Sequence, residues 1–467
     1  MGRNLPDKAK SPLSLLVAAL FFAIILVLTV FVSSGFSVPP VSAQSFLRLP
    51  THTNLPTFAT DNTGNDLVSP ASIGDLTVAA TPTLKDPNLR VRTVASGLSL
   101  PTSMAFIGQN DILVLEKNTG MVKRIKDDRV LSPALLDVSV ATNNERGMLG
   151  IDVIKITSSH HYVFLYYTKS ASGDGGSPVA HQLVRYIFTN HPSLGSAQGR
   201  MSSPQVLLNL PATPGPNHDG GKVVISPGGN VYTVLGDLNR NGKAQNFENG
   251  ADPDGTSGIL RVTRDGNTVG TGILGTSHPL NKYVAYGIRN SFGIDFDPLT
   301  GSLWDTENGP SSNDELNFVG AGFNSGWEDI MGMAPAGFNF NNLVSFGGKG
   351  KYSNPEFVWS QVVAPTAIEF LSSERLGPQY RNDMFVGDFN KGRIYNFNLN
   401  SQRNALVLTG VLSDRIANTD SETQSVIFGE RFGGITDLKV GLGDGYLYVL
   451  SIGNGAVYRI VPNVLNP

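Results

Sequence analysis

The sequence predicts an all-β chain, a six-bladed β-propeller carried behind an N-terminal signal or anchor segment. Three observations carry that expectation: a strand-turn-strand unit that recurs six times, 52 glycines with 28 prolines among 467 residues, and no cysteine. Self-similarity at a fixed period marks a repeat architecture. The glycine content favours turns over long helices. Without cysteine there are no disulfides and no thiolate metal site, so an exported chain has to rely on a large core.

Taken from the start, residues 1–45 read as a targeting segment. Arg3, Lys8 and Lys10 precede an uncharged apolar run from Leu15 to Val32, and Val41-Ser42-Ala43 supplies small residues suited to cleavage after Ala43. A run of that length also suffices for a membrane span, so an uncleaved anchor with its positive end inside is the alternative. Either reading places the bulk of the protein outside the cytoplasm. Residues 46–85, rich in Thr, Ser, Pro and Asn, read as a flexible spacer. The net charge of −3 offers no basic excess to attract nucleic acid.

From residue 86 to 463 the repeat sets the architecture. Units begin near Met104, Ile151, Val223, Ile294, Ile368 and Leu438, roughly seventy residues apart after a shorter first gap. Lys222 to Gly236, Gly293 to Trp304 and Leu438 to Leu450 each read as two short apolar strands joined by a turn. Several units add a third strand after a glycine, as in Gly120 to Ile125, Gly258 to Val262, Gly392 to Tyr395 and Gly455 to Ile460. Such a period fits a four-stranded propeller blade. Leu89 to Val94 precedes the first full unit and is expected to close the ring on the last blade, removing exposed edges. A β-sandwich is the competing fold, and it gives no reason for the period.

A propeller gathers its functional loops at the axial mouth. The loops with unusual chemistry are Glu145-Arg146-Gly147, Gly215 to Gly221 around His218, Gly287 to Asn290, Glu307 to Glu315 and Asp388 to Lys391. His218 stands between Asn217 and Asp219 among three glycines, where the backbone turns tightly and a ligand can come close. It is the candidate catalytic base. The alternative is a turn whose Asn and Asp bond their own backbone beside an exposed imidazole. Arg289 has the alternative role of tying two blades together, and Asn313-Asp314-Glu315 that of a structural calcium site or a turn cap. Trp304, Trp327 and Trp359 are expected in blade cores. His160 and His161 lack a carboxylate partner in sequence, and His181, His191 and His278 have no cluster around them.

His218 with Gly220 and Gly221, the run Tyr286 to Gly293, and the block Glu307 to Asn317 with Gly322 to Trp327 resemble the glucose/sorbosone dehydrogenase family. Its members include soluble aldose sugar dehydrogenases that depend on pyrroloquinoline quinone (PQQ) and are six-bladed propellers. The resemblance runs from about Leu89 to Val461. It implies oxidation of a sugar's C1 hydroxyl to the lactone, with hydride passing to the quinone and electrons to an external acceptor. It also implies His218 as general base, Arg289 and Asn290 at the quinone oxygens, and Gly309 and Pro310 as carbonyl ligands of Ca²⁺, with Glu315 nearby as a further metal candidate. Glu145 falls where the family has a Gln or Glu near the sugar, and Lys391 lies within one position of a cofactor-contacting lysine.

Two departures bear on the chemistry. The residue before the base is Asn217, a further candidate cofactor contact, where the family usually has Asp, which predicts a weaker base. In the loop before the last unit, Gly434 and Thr436 stand where family members can have arginines against the cofactor carboxylates, and Arg431 is the nearest replacement. Two further function classes therefore stand beside the dehydrogenase: a cofactor-free propeller binding carbohydrate or protein, and a calcium-dependent lactonase.

Overall fold

The computed structural model describes residues 81–190 and 198–463, and they are all-β in a propeller-like arrangement. The signal or anchor segment and nearly all of the expected spacer lie outside the described residues, as does His191.

The strands form six sheets. Their first strands are Pro101–Gly108, Met148–Lys155, Val223–Ile225, Gly293–Phe296, Pro365–Phe370 and Ile435–Val440. Each of the six unit starts read from the sequence falls within one of them. Successive first strands lie side by side, and that of the sixth sheet lies against that of the first, so they surround a common axis.

The second strands show why the pattern was readable. Asp111–Glu116, Val231–Leu235, Leu303–Glu307, Met384–Asp388 and Leu447–Ser451 are buried at every position. They have neighbours within their own sheet and a packed sheet on each face, so both sides of the pleat need apolar groups. The runs are accordingly near-continuous rather than alternating, except that Leu303–Glu307 ends in the buried polar Asp305, Thr306 and Glu307.

The expected four strands per unit hold only for the second and sixth sheets. The others recruit short strands from their connecting loops. In the third sheet, Phe323–Asn324 pairs in parallel with Tyr283–Tyr286 and is followed by Lys351–Tyr352. A two-residue strand saturates backbone groups that a buried loop would otherwise leave unpaired. Leu89–Ala95 pairs with Ala456–Pro462 in the sixth sheet, Arg90 opposite Val461. The spacer is also shorter than expected at its end, because Thr83–Leu84 pairs with Glu430 and Gly429 at the edge of the fifth sheet.

Charged groups also cross the axis. Lys222 Nζ, just before the third sheet, pairs with the Asp437 carboxylate of the sixth, and both side chains are buried. Asp437 Oδ2 further accepts from Ser103 Oγ at 2.8 Å and Met104 N at 2.9 Å. Lys222→Met leaves that carboxylate buried without its cation. It is expected to lower the unfolding free energy by about 3–5 kcal/mol, read by denaturant titration.

Candidate active site

In an antiparallel sheet the start of the first strand and the end of the second lie at the same edge. The loops before Met148–Lys155, Val223–Ile225 and Gly293–Phe296 and those after Val231–Leu235 and Leu303–Glu307 therefore meet at one mouth. They bring Glu145, His218, Asp237, Arg289, Asn290, Asn308 and Gly309 into one hydrogen-bonded group.

His218 is buried, and its backbone is left-handed at φ 64°. Its Nδ1 lies 2.5 Å from Asp237 Oδ1. Asp237 can only accept in its ionised form, so Nδ1 carries the proton and Nε2 keeps its lone pair. Nε2 is buried with no protein partner. Burial holds the imidazole below its ordinary value, and the nearby Arg289 charge acts in the same direction against the pull of Asp237. Neutral at physiological pH, with one nitrogen anchored and the other free, the ring is prepared to take a proton.

Asp237 gives the imidazole the carboxylate partner that Asn217, the residue before it, cannot supply. Its Oδ1 also accepts from Asn239 N at 2.7 Å, and its Oδ2 from Trp327 Nε1 at 2.7 Å. Burial alone would raise Asp237, but the imidazole and the Asn239 N–H outweigh it and hold the carboxyl below the usual range. The residue ends the very strand pair that follows the histidine loop, yet nineteen positions separate it from His218, a distance no local motif spans. Asn217 faces elsewhere with its Oδ1, which accepts from Asn144 Nδ2.

Gly236 explains how two loops approach so closely. A Cβ there would collide with the His218 carbonyl oxygen and lie 2.5 Å from that of Arg289. The next residue, Asp237, donates its N–H to that same Arg289 oxygen at 2.9 Å. Gly236→Ala must push the His218 and Arg289 backbones apart. We expect a loss of about 1–3 kcal/mol in stability together with lower turnover, measured on the same preparation.

Arg289 is fully buried. Its backbone N–H donates to Glu307 Oε1 at 2.7 Å, and Nη1 donates to the carbonyls of Asn308 and Gly309 at 2.9 and 3.1 Å. The guanidinium lies over the Trp327 ring, 5.4 Å from its centroid. Trp327 therefore belongs to this site, whereas Trp304 and Trp359 do sit in a core cluster. Burial lowers the Arg289 pKa, with Asp237 and Glu145 among the anions that oppose the shift.

Glu145 lies within the same group, holding neighbours. Its Oε2 accepts from His218 N at 2.5 Å and Asp219 N at 3.1 Å, and Asn290 Nδ2 reaches both oxygens at 3.1 and 3.2 Å. Burial, then Asp219, push Glu145 up to about 8. The sequence reading passed over His181, whose Nε2 lies 2.9 Å from Asp219 Oδ1 in a fully buried pair.

Other expected residues are placed differently. Glu315 Oε1 accepts from Gly332 N at 2.5 Å, and its Oε2 from Asn317 Nδ2 at 3.0 Å and Ser325 Oγ at 3.3 Å, so both oxygens are engaged. Among the described residues no group of three or more acidic or histidine side chains could hold a metal ion. A cation here would depend on backbone oxygens such as those of Gly309 and Pro310. Lys391 pairs with Asp420 beside Arg393. Arg431 is exposed.

Thr436 lines an axial cavity of about 30 Å³ together with Glu145, Lys222 and Lys117. Lys117 brings a cation to that wall which the sequence reading did not single out. Its Nζ donates to the carbonyls of Asn144 at 2.7 Å and Arg146 at 2.8 Å, and burial lowers it to about 8.

A buried polar cofactor fits the mouth on one further observation. Besides His218 Nε2, Asn290 Oδ1 and both side-chain polar atoms of Asn308 are buried without protein partners. Buried polar atoms ordinarily have partners, so several orphans at one mouth mark where a ligand would bond.

Comparison with known proteins agrees with this architecture. The family model described as Glucose / Sorbosone dehydrogenase matches residues 98–459. The chain is 25% identical over 383 residues to the aldose sugar dehydrogenase YliI of Escherichia coli, covering 80% of this chain and 93% of that protein. It is 24% identical over 287 residues to quinoprotein glucose dehydrogenase B of Acinetobacter calcoaceticus, covering 57% and 58%. Among solved structures, the apo form of the soluble E. coli aldose sugar dehydrogenase superposes with a TM-score of 0.60 at 21% identity, covering 80% of this chain and all (100%) of that one. The PQQ-bound aldose sugar dehydrogenase of Streptomyces coelicolor gives a TM-score of 0.58 at 22% identity, covering 82% and 99%.

Proposed function

This chain belongs to the glucose/sorbosone dehydrogenase family, and from that premise we propose that it is an exported sugar dehydrogenase that oxidises the C1 hydroxyl of an aldose to the lactone, using PQQ and Ca²⁺. The observation that carries the reading is His218, with Nδ1 held by Asp237 and a buried, unpartnered Nε2 among other orphaned polar atoms.

In this mechanism His218 Nε2 takes the proton of the C1 hydroxyl, and the imidazolium that forms is stabilised by Asp237. Arg289, fixed by the Asn308 and Gly309 carbonyls, keeps a positive charge beside the reacting groups without having to reorganise. Asn290 and Glu145 position the surrounding polar groups. Gly309 and Pro310 would offer carbonyl oxygens to the calcium, and Lys117 supplies charge on the wall where Thr436 stands. When bound, the quinone supplies the acceptor for hydride from C1, and an external acceptor then takes the electrons. Residues 15–32 would serve as leader or membrane anchor, leaving the propeller outside the cytoplasm, and we take each of the six sheets as one blade.

The test is made on protein lacking residues 1–45. Cofactor is titrated in the presence of calcium, and dye reduction is then assayed over a panel of aldoses. Saturable binding with sugar-dependent turnover is expected. Folded, calcium-loaded protein that binds no quinone at high micromolar concentration would overturn the enzyme reading in favour of a binding module.

A further inference from the structure

Asp219 follows the base in sequence and is fully buried, yet neither of its carboxylate oxygens has a hydrogen-bond partner. Among the described residues its one ion pair is with His181, whose Nε2 lies 2.9 Å from Oδ1. An ionised carboxylate only accepts, so Nε2 carries a proton. The sheet places the ring there. His181 lies directly opposite Thr168 in the second sheet, and Tyr166, two positions before Thr168, shares that face. Thr168 Oγ1 lies 3.1 Å from His181 Nδ1, and the imidazole stacks on the Tyr166 ring with 5.6 Å between centroids. Tyr166 in turn donates its hydroxyl to the Asp219 carbonyl at 3.3 Å. One sheet face therefore holds Asp219 from behind the loop that carries His218.

The work of Asp219 there is electrostatic. Its charge opposes the lowering that burial imposes on Lys117 and Arg146, and it adds to burial in pushing Glu145 up. Burial lowers His218; Asp237 pulls it back up, Arg289 lowers it further, and Asp219 again raises it. A buried carboxylate without a counterpart neutralises itself by taking a proton, and its contribution then vanishes. We propose that His181 is a positioning residue that keeps the Asp219 charge in place one residue from the base, and so supports proton uptake at His218 from behind its loop. This adds a second imidazole–carboxylate pair to the Asp237 anchor, and only its kinetic readout rests on the dehydrogenase reading.

Four substitutions test the pair. His181→Phe keeps a flat ring on Tyr166 and removes the nitrogen that faces Asp219. His181→Asn keeps a polar group for Thr168 but is too short to reach Asp219, so a fold lost in one of these variants leaves the other. His181→Gln keeps an N–H at a reach similar to that of Nε2. Asp219→Asn removes the charge itself and keeps the backbone N–H. Titration of the His218 ring is followed by NMR on histidine-labelled protein without quinone or sugar, its signal identified by its loss in His218→Ala. We expect a lower midpoint in Asp219→Asn and the same lowering in His181→Phe and His181→Asn, with H181F/D219N no lower than either single variant. His181→Gln should titrate with the wild type. In kinetics the variants that lose the charge should show the acid limb of kcat/KM at lower pH and a plateau about 3- to 30-fold lower.

A His218 midpoint that stays put when His181 is replaced, whatever happens to stability, overturns the proposal, and it is what a merely structural role would give. A midpoint that rises overturns it too, since the carboxylate would then keep its charge without the ring. Lowerings that add in the double variant do the same, because the two residues would then act separately. The titration needs neither cofactor nor turnover. Shifts of the expected pattern in a protein that oxidises no sugar therefore support the pairing and count against the dehydrogenase alone, whereas unchanged midpoints in an enzyme that turns over sugar count against the pairing alone.

Discussion

His218→Ala is expected to lower sugar-dependent dye reduction about 10²- to 10⁴-fold, with the protein still folded. Truncation removes Nε2, an available lone pair on the carboxylate-held ring anchored by Asp237. The backbone N–H that Glu145 binds is kept in alanine, so the loop retains its tie. Steady-state kinetics should show the loss in kcat, and cofactor titration should show binding largely kept. The pH profile is a second check. A base must be neutral to act, and burial lowers the His218 pKa from its ordinary 6.5, so the acid limb of kcat/KM in the wild type should lie below 6.5. A limb above that value would mean that another group titrates.

Asp237→Asn should be nearly as severe, at roughly 10²- to 10⁴-fold in kcat, although the change is isosteric. Three donors converge on this carboxylate: His218 Nδ1 and Asn239 N on Oδ1, and Trp327 Nε1 on Oδ2. An amide has one acceptor oxygen, so its NH₂ must face either the indole N–H or the imidazole side. If it faces the imidazole, the ring inverts its tautomer and Nε2 becomes a donor instead of a base. If it faces the indole, Trp327 loses its hold and Arg289 loses the ring packed against it. Quenched or shifted tryptophan fluorescence would identify the second case. Turnover like that of the wild type would show that Asp237 does not orient the base.

The propeller-like architecture was legible because it rests on local pattern. A strand buried on both faces needs a short apolar run, and Val231–Leu235 and Leu447–Ser451 display theirs plainly. The gathering of His218, Arg289, Asn290 and Glu145 was legible because each stands in a loop entering a first strand. What the sequence hid is pairing across loops. Asp237 and Trp327 reach the site by folding over it, and neither belongs to a motif that announces a partner. Trp327 was placed in a core because aromatics near strands usually are, yet its indole N–H needed an acceptor and found one at the mouth. Glu315 shows the opposite case. Its neighbours in sequence are ligand-like, but the side chain is taken up by Gly332, Asn317 and Ser325. Lys391 likewise answers to Asp420, which lies on a different loop.

The pairing of Leu89–Ala95 with Ala456–Pro462 also governs the order in which the protein can be made. Arg90 finds Val461 only after every intervening strand has been made, so the sixth sheet is the last of the six to be completed. Closing so long a loop must precede the contacts that reward it, which makes this the slow step of a high-contact-order topology. Until then the first strands of the sixth and first sheets, neighbours in the finished ring, have no stable relation to each other. A chain that stays open until its last strand arrives has time to be moved, and time to aggregate.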